Sequence, residues 1–360
     1  MYTVPNEFHE KLIDWAKATF PPSVLPQFYK PVYPAEIVTL PGIRGIDPPR
    51  WAQICGFEEA YAAIIPKGRV ATSNCYVITP DNKRVRDVEY DCPFFTNAKL
   101  PDPVYTDKTV ATVLWGWNIP GSRTHNVFGH WFFDILPRFH LLERSGIPID
   151  YYLIGKLEHP FQYESLQMLG IPQEKLIEVE RLDFHLIAEQ LVVPAVPVMV
   201  GKCPPWASRY ITAKLKHEQS IPKAEGYERI YITRQDAAAR FVVNEDEVLQ
   251  YLSAKGFRKI LLTPLTTEQK VSIFSAARII VAPYGSGSAN VAFCEPGASL
   301  FELSPNNLAD NYFWKLCGHA GVHYHEILCE VEQPPKAVLG SDNLIVNMNK
   351  LKQVLSLSGI

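Results

Sequence analysis

The sequence lacks any excess of positive charge: 35 Lys and Arg stand against 38 Asp and Glu, for a formal net charge of −3. Nucleic-acid footprints and polybasic membrane patches need clustered cations, so the balance argues against both. No apolar run approaches the ~20 residues of a membrane span. No C-x-x-C pair occurs. The seven cysteines (Cys55, Cys75, Cys92, Cys203, Cys294, Cys317, Cys329) are scattered and odd in number, which signals neither a zinc site nor a disulfide framework. Reduced thiols in a cytoplasmic protein are the expectation. The first residues, MYTVPNEFHEKLIDWAK, read as a short charged amphipathic helix and not as an apolar-centred leader. Any contact with a membrane is therefore expected to be peripheral, at its inner face. D-x-D spacing is absent too, so no divalent metal is signalled, and there is no internal repeat or low-complexity tract.

What is present is length and alternation. At 360 residues the chain exceeds the roughly 250–300 at which one hydrophobic core stops growing, so two domains are expected. Hydrophobic residues at 47% and charged ones at 20% fit packed cores. In the C-terminal half, strand patterns near 230–233, 257–262, 278–282, 299–303 and 322–328 alternate with helix patterns over 244–255, 266–277 and 308–319. Asn244 with Glu247, and Thr266 with Gln269, have capping-box spacing. Such alternation predicts βαβ units and a parallel sheet covered on both faces. The N-terminal half is less regular. Strands are predicted near 110–114, 151–154 and 176–179, and helices over 127–145, with Pro137 kinking it, and 161–169. The adjacent prolines of MVGKCPPWAS, near 199–208, mark the boundary. The expected division is 1–205, a Rossmann-like domain over 206–333, and a tail over 334–360 with a helix at 342–357, packing back on the N-terminal domain.

Three constellations carry chemistry. The first is VAPYGSGSANVAF at 281–293, where an apolar strand hands over to a helix predicted near Ser288. In an open parallel sheet ligands bind at the carboxyl ends of the strands. Small residues there let backbone N–H groups approach a phosphate, although a tight turn needing glycine explains them equally. A dinucleotide fingerprint would need a third glycine where Asn290 stands, and a phosphate-binding Gly-Lys-Ser/Thr is missing. The second is Arg234, ending the strand ERIYITR, with Arg240 six residues on; both can grip a diphosphate bidentately or stand solvated beside Asp236 or Glu245. The third is HNVFGHWFFDILPR, 125–138, where His130, Asp134 and Arg138 share one helical face within an apolar segment. A structural ion pair between Asp134 and Arg138 competes there with a cleft-facing site. His323-x-His325 has spacing for a metal but no third ligand, and Trp115 with Trp117 can stack on a sugar or pack a domain face.

In order, H-W-x-x-D-x-L-P-R, then Y-I-T-R with a second arginine, then P-x-G-x-G, E-P-G-A and E-L-S-P resemble glycosyltransferase family 61. The resemblance spans about 105–330. That family includes plant xylan arabinosyl- and xylosyltransferases, animal O-linked N-acetylglucosaminyltransferases and enzymes of bacterial capsular polysaccharide pathways. It implies an α/β GT-B fold, two Rossmann-like domains facing a cleft, and inverting, metal-independent transfer from a nucleotide sugar to a glycan or lipid-linked saccharide. It places Arg234 and Arg240 on the phosphates, Gly285, Ser286, Gly287, Ser288 and Asn290 at the donor loop, and Glu302 near the ribose or base. His130 and Asp134 fall on the acceptor side. The family loop usually reads P-H-G-A-G, so Tyr284 offers a neutral hydroxyl where relatives carry histidine.

Inverting transfer needs a base for the acceptor hydroxyl. Asp134, oriented by Arg138 or His130, is the first choice and His130 the second. No cofactor is implied beyond the donor itself. The rival readings are a GT-B-like nucleotide-sugar epimerase and a non-catalytic glycan- or nucleotide-binding relative.

Overall fold

The computed structural model describes residues 2–71, 76–89, 99–114, 118–119, 122–180, 184–196, 203–336, 338 and 340–360. Trp115, Trp117, Cys75 and Cys92 lie outside the described residues. The chain is α/β and divides into two units: Met1–Glu36 with Gly56–Met199, and Ile37–Cys55 with Val200–Ile360.

In the first unit a short helix, α1 (Leu12–Thr19), buries Leu12, Trp15 and Ala16. A mixed sheet follows from β1 (Ala60–Pro66), β2 (Arg69–Ala71), β3 (Val104–Thr112), β4 (Tyr151–Gly155), β5 (Leu176–Val179) and β6 (His185–Pro194). Strands β5, β4, β3 and β6 run parallel in that spatial order, and β1 and β2 pair antiparallel with β6. Numbered by sequence the parallel order is 3-2-1-4, so the connections reverse direction between β3 and β6, where a ligand crevice is expected at the carboxyl ends. Helices α2 (Leu136–Ser145) and α3 (Pro160–Met168) belong to the crossovers.

The segment predicted as one helix over 127–145 is three pieces. A turn at Phe128–His130 leads into a π-helical stretch, Trp131–Ile135, before α2 begins. Leu136 N–H bonds Trp131 O, five residues back. Pro137 explains the widening: it has no N–H for the carbonyl four residues earlier, and its ring would clash there.

In the second unit α4 (Pro205–Thr212) starts within the proline pair expected to be linker. The sheet is built from β7 (Arg229–Ile232), β8 (Arg258–Ile260), β9 (Ile279–Pro283), β10 (Ser299–Pro305), β11 (His323–Val331) and β12 (Leu344–Ile345). The spatial order is β8-β7-β9-β10-β11-β12. All neighbours are parallel except β12, which is antiparallel to β11. The parallel order 2-1-3-4-5 is that of flavodoxin-like sheets. β9 is apolar almost throughout (Ile279, Ile280, Val281) because helices cover both faces of such a sheet.

Helix α6 (Thr267–Ala276) has its capping box: Gln269 N–H donates to Thr266 Oγ1 at 3.2 Å, and Thr266 N–H to Gln269 Oε1 at 2.9 Å. Helix α5 (Glu245–Ala254) does not. The Asn244 side chain receives Val346 N–H and donates to Val346 O, both at 2.9 Å, and gives no cap bond. It is spent on the tail.

That tail corrects the expectation that 334–360 packs on the N-terminal domain. Leu344, Val346, Leu351, Val354 and Leu355, the last three on α8 (Met348–Ser356), share one core with Val248, Leu252 and Phe301 of the second unit. Residues 37–55 also belong to this unit and not to the N-terminal domain. Arg50 makes a two-pronged ion pair with buried Glu326, and Lys350 reaches Asp47 at 3.0 Å. Trp314, on helix α7 (Tyr312–Ala320), donates to Pro41 O at 2.8 Å.

Candidate active site

The second unit gathers its candidates where the connections reverse. β7 and β9 are adjacent, and the loops leaving their carboxyl ends carry Arg234 and Gly285. The two touch: a Cβ on Gly285 would lie 2.0 Å from Arg234 Nη1. Only glycine admits the guanidinium, since Gly285 itself is extended (φ 163°) and needs no left-handed backbone. Arg234 Nε and Nη2 donate to Ala239 O at 3.3 and 3.2 Å, which fixes the plane of the fork. Burial and the nearby Arg240 push its pKa down to about 10, so it remains a cation at neutral pH.

Arg240 has φ +61°, a left-handed conformation costing about 1 kcal/mol for a side-chain-bearing residue. Its guanidinium donates to Gly340 O at 3.3 Å and lies 5.2 Å from the centroid of the Tyr284 ring. Tyr284, in the place of the histidine of relatives, is thus a platform for a cation. Burial and Asp310, which accepts its hydroxyl, drive the Tyr284 pKa up, so the ring stays neutral.

Ser286–Phe293 forms a 3-10 helix after Gly285, two residues before the predicted start. Its first N–H groups have no acceptor inside the helix. Gly287 is small for packing: a Cβ there would meet Leu262 Cδ1 at 2.9 Å. Asn290 is buried and donates to Gly287 O at 2.9 Å, holding the loop from inside.

Glu302, expected near the ribose or base, is interior, 1% exposed. The Tyr324 hydroxyl donates to Glu302 Oε2 at 2.7 Å. Burial, with Glu326 and Asp310 nearby, pushes its pKa up to about 8 against the opposing effect of Tyr324 and of the Ser288 hydroxyl. At neutral pH the carboxyl is mostly protonated, which puts no full negative charge under the loop. Sequence reading missed Tyr324, Glu326 and Arg50 as its supports. Their only signal was one glutamate within each of two predicted strands, Glu302 and Glu326.

In the first unit His130 Nδ1 lies 2.6 Å from Asp134 Oδ2. Asp134 is fully buried in the π-helical stretch, while the His130 side chain is 24% exposed. A carboxylate accepts, so Nδ1 is the donor of this bond. Arg138 turns to backbone carbonyls. Its guanidinium donates to Leu114 O, Thr112 O and Pro194 O at 2.6, 3.1 and 3.3 Å, closing the gap between β3 and β6 at their carboxyl ends. It is 1% exposed, buried among backbone acceptors and removed from solvent. His125, not singled out from the sequence, lies against Gly155, where a Cβ would fall 2.5 Å from its ring, and bonds Lys156 O at 2.8 Å.

Residues 128–301 match the family model described as Glycosyltransferase 61. That span takes in His130, Asp134, Arg138, both arginines of the second unit and the whole Gly/Ser loop. Through it the chain belongs to glycosyltransferase family 61. The protein is a glycosyltransferase, acting on a donor and an acceptor. No curated protein matches the chain. In this family 61 enzyme no group of three or more His, Cys, Asp or Glu side chains is arranged for a metal ion among the described residues. Five cysteines, Cys55, Cys203, Cys294, Cys317 and Cys329, are free thiols. No described helix is long and apolar enough to cross a membrane.

Proposed function

We propose that the enzyme moves a sugar from a nucleotide-diphosphate sugar to a hydroxyl of a glycan or lipid-linked saccharide, inverting the anomeric centre. Arginines and backbone amides, in place of a divalent cation, face the departing diphosphate. The proposal includes a GT-B arrangement and a role in capsular or other surface polysaccharide synthesis in the cytoplasm, with peripheral approach to the membrane. One observation carries it: the Arg234 guanidinium is seated on Gly285 at the reversal between β7 and β9. There a fixed cation, the first amides of the 3-10 helix and a protonated Glu302 suit a doubly charged leaving group.

Of the two, His130 suits the base better than Asp134: the Asp134 carboxylate is fully buried and bonded to His130 Nδ1, whereas the His130 side chain is 24% exposed. Asp134 is a positioning residue: it holds the Nδ1 proton and stabilises the imidazolium once Nε2 has taken the acceptor proton. The attacking oxygen then bonds the anomeric carbon as the bond to the diphosphate breaks, and Arg234 meets the charge that develops.

Turnover against a panel of UDP-, GDP- and CMP-sugars with saccharide acceptors tests the reading. His130→Ala is expected to lower kcat by about 10²-fold or more with donor binding unchanged. Arg234→Ala is expected to weaken nucleoside-diphosphate binding by calorimetry. Near-normal turnover of His130→Ala would move the base elsewhere, and unaltered affinity in Arg234→Ala would remove the donor grip.

A further inference from the structure

A cavity of about 510 Å³ lies at the other end of the second unit's sheet, where β10 and β11 begin. Ser299 and His323, the first residues of those strands, line it together with Arg44, His325, Leu357 and Ser358. It is far along the strands from the Gly/Ser loop, which follows their carboxyl ends.

Its chemistry is one-sided. Arg44 is pinned beside β11 by its backbone: its N–H donates to Tyr324 O at 2.9 Å, and its carbonyl accepts from Glu326 N–H at 3.0 Å. Its guanidinium has neither an ion pair nor a side-chain hydrogen bond among the described residues. His323 and His325 stand two apart on one strand and so share a face. The His325 ring stacks on Phe301 at 4.2 Å between centroids and is 4% exposed, with Nε2 buried and lacking a hydrogen-bond partner among the described residues. Burial and the charge of Arg44 hold both imidazoles below their usual pKa, so they are neutral at pH 7 and each offers one N–H. No aspartate or glutamate is among the lining residues.

A permanent cation, neutral donors and hydroxyls without a carboxylate select an oxyanion. A metal ion could use two neutral imidazoles, but Arg44 repels it and no third ligand is present. We propose that this cavity binds a phosphate-type oxyanion, anchored by Arg44 with His323, His325 and Ser299 as hydrogen-bond donors. Nothing in the reading of the donor loop requires such a site. Binding there would tie residues 43–45 and the end of α8 to the sheet.

The test uses inorganic phosphate and the full chain carrying Arg234→Ala, so that the loop does not contribute. The ring resonances of His323 and His325, identified by their loss in His323→Gln and His325→Gln, are expected to shift and saturate. Adding Arg44→Ala should weaken that response about tenfold or more, and Arg44→Gln, which keeps the side-chain length, should do the same if the alanine variant folds poorly. Absent shifts, a phosphate response that survives both Arg44 variants, or shifts with Zn²⁺ but not with phosphate would each overturn the proposal.

Discussion

At Gly285 a single carbon atom separates a gripping arginine from a displaced one. Gly285→Ala would put its Cβ 2.0 Å from Arg234 Nη1, so nucleoside-diphosphate affinity should fall about tenfold or more. Calorimetry beside circular dichroism checks this, with the expectation that the fold persists. Gly146→Ala is the contrasting control. Its surroundings are open but its φ is +66°, so it should cost about 1 kcal/mol of stability and leave binding alone. Arg138→Met should be the costlier change, because it strips a buried guanidinium from three carbonyls. About 3 kcal/mol in urea unfolding is expected. The spacing of His130 and Asp134 made their contact legible. The partners of Arg138 were not, because they are backbone oxygens 24 to 56 residues away, and side-chain spacing carries no information about those. Tyr284 was legible only as a departure from its relatives; its use as a face for Arg240 depends on a backbone turn that no motif encodes.

Among the elements, the π-helical stretch before Pro137 is the one tied to chemistry. Pro137→Ala restores an N–H and relieves the ring clash, so the ladder can close as an ordinary α-helix. We expect the thermal midpoint to hold or rise while kcat falls, because closing the widened turn would rotate His130 and Asp134 together relative to α2. A fall in both together would show the proline to be merely structural. The alternating pattern of the second unit was readable because β7 and β9 are short, mostly apolar runs and α6 opens with its own capping box. The first unit hid β1 and β6. AYAAIIP in β1 is rich in alanine, a helix former, and becomes strand because it pairs with β6 on one side and with the strand Tyr29–Tyr33 on the other. Half-buried Glu189 and exposed Gln190 interrupt β6 with polar residues. Asn244 shows the same limit: its spacing announces a cap, but Val346, a hundred residues on, competes for the side chain and wins.

For the whole molecule, three buried groups of the second unit help to set a pH optimum. Burial lowers His319 and His325 from 6.5 to about 4. The unfolded chain therefore takes up protons first, and stability falls as pH drops through that window. Glu302 works in reverse. Folded, it keeps its proton to about 8, and unfolded it releases it near 4.5, so stability falls as pH rises between those values. On the acid side His185 and His323, also held below their usual values, add to these two, while Asp87, raised to about 6, works with Glu302; above 6.5 Glu302 dominates. Urea midpoints should therefore peak near pH 6.5, and Glu302→Gln should flatten the alkaline limb, whose depth between 6.5 and 8 is at most about 2 kcal/mol. A midpoint still rising at pH 8 in the native sequence would contradict the assignment.

Residues 37–55 have a practical meaning for anyone who exchanges parts between enzymes of this kind. The second unit is not one uninterrupted stretch of gene. Its Glu326 leans on Arg50, its Trp314 on Pro41 and its Lys350 on Asp47. A chimera that swaps everything after residue 200 while keeping a foreign amino-terminal half would inherit mismatched partners at all three places. A donor-specificity graft therefore has to carry two pieces of sequence, the early nineteen-residue excursion as well as the later block.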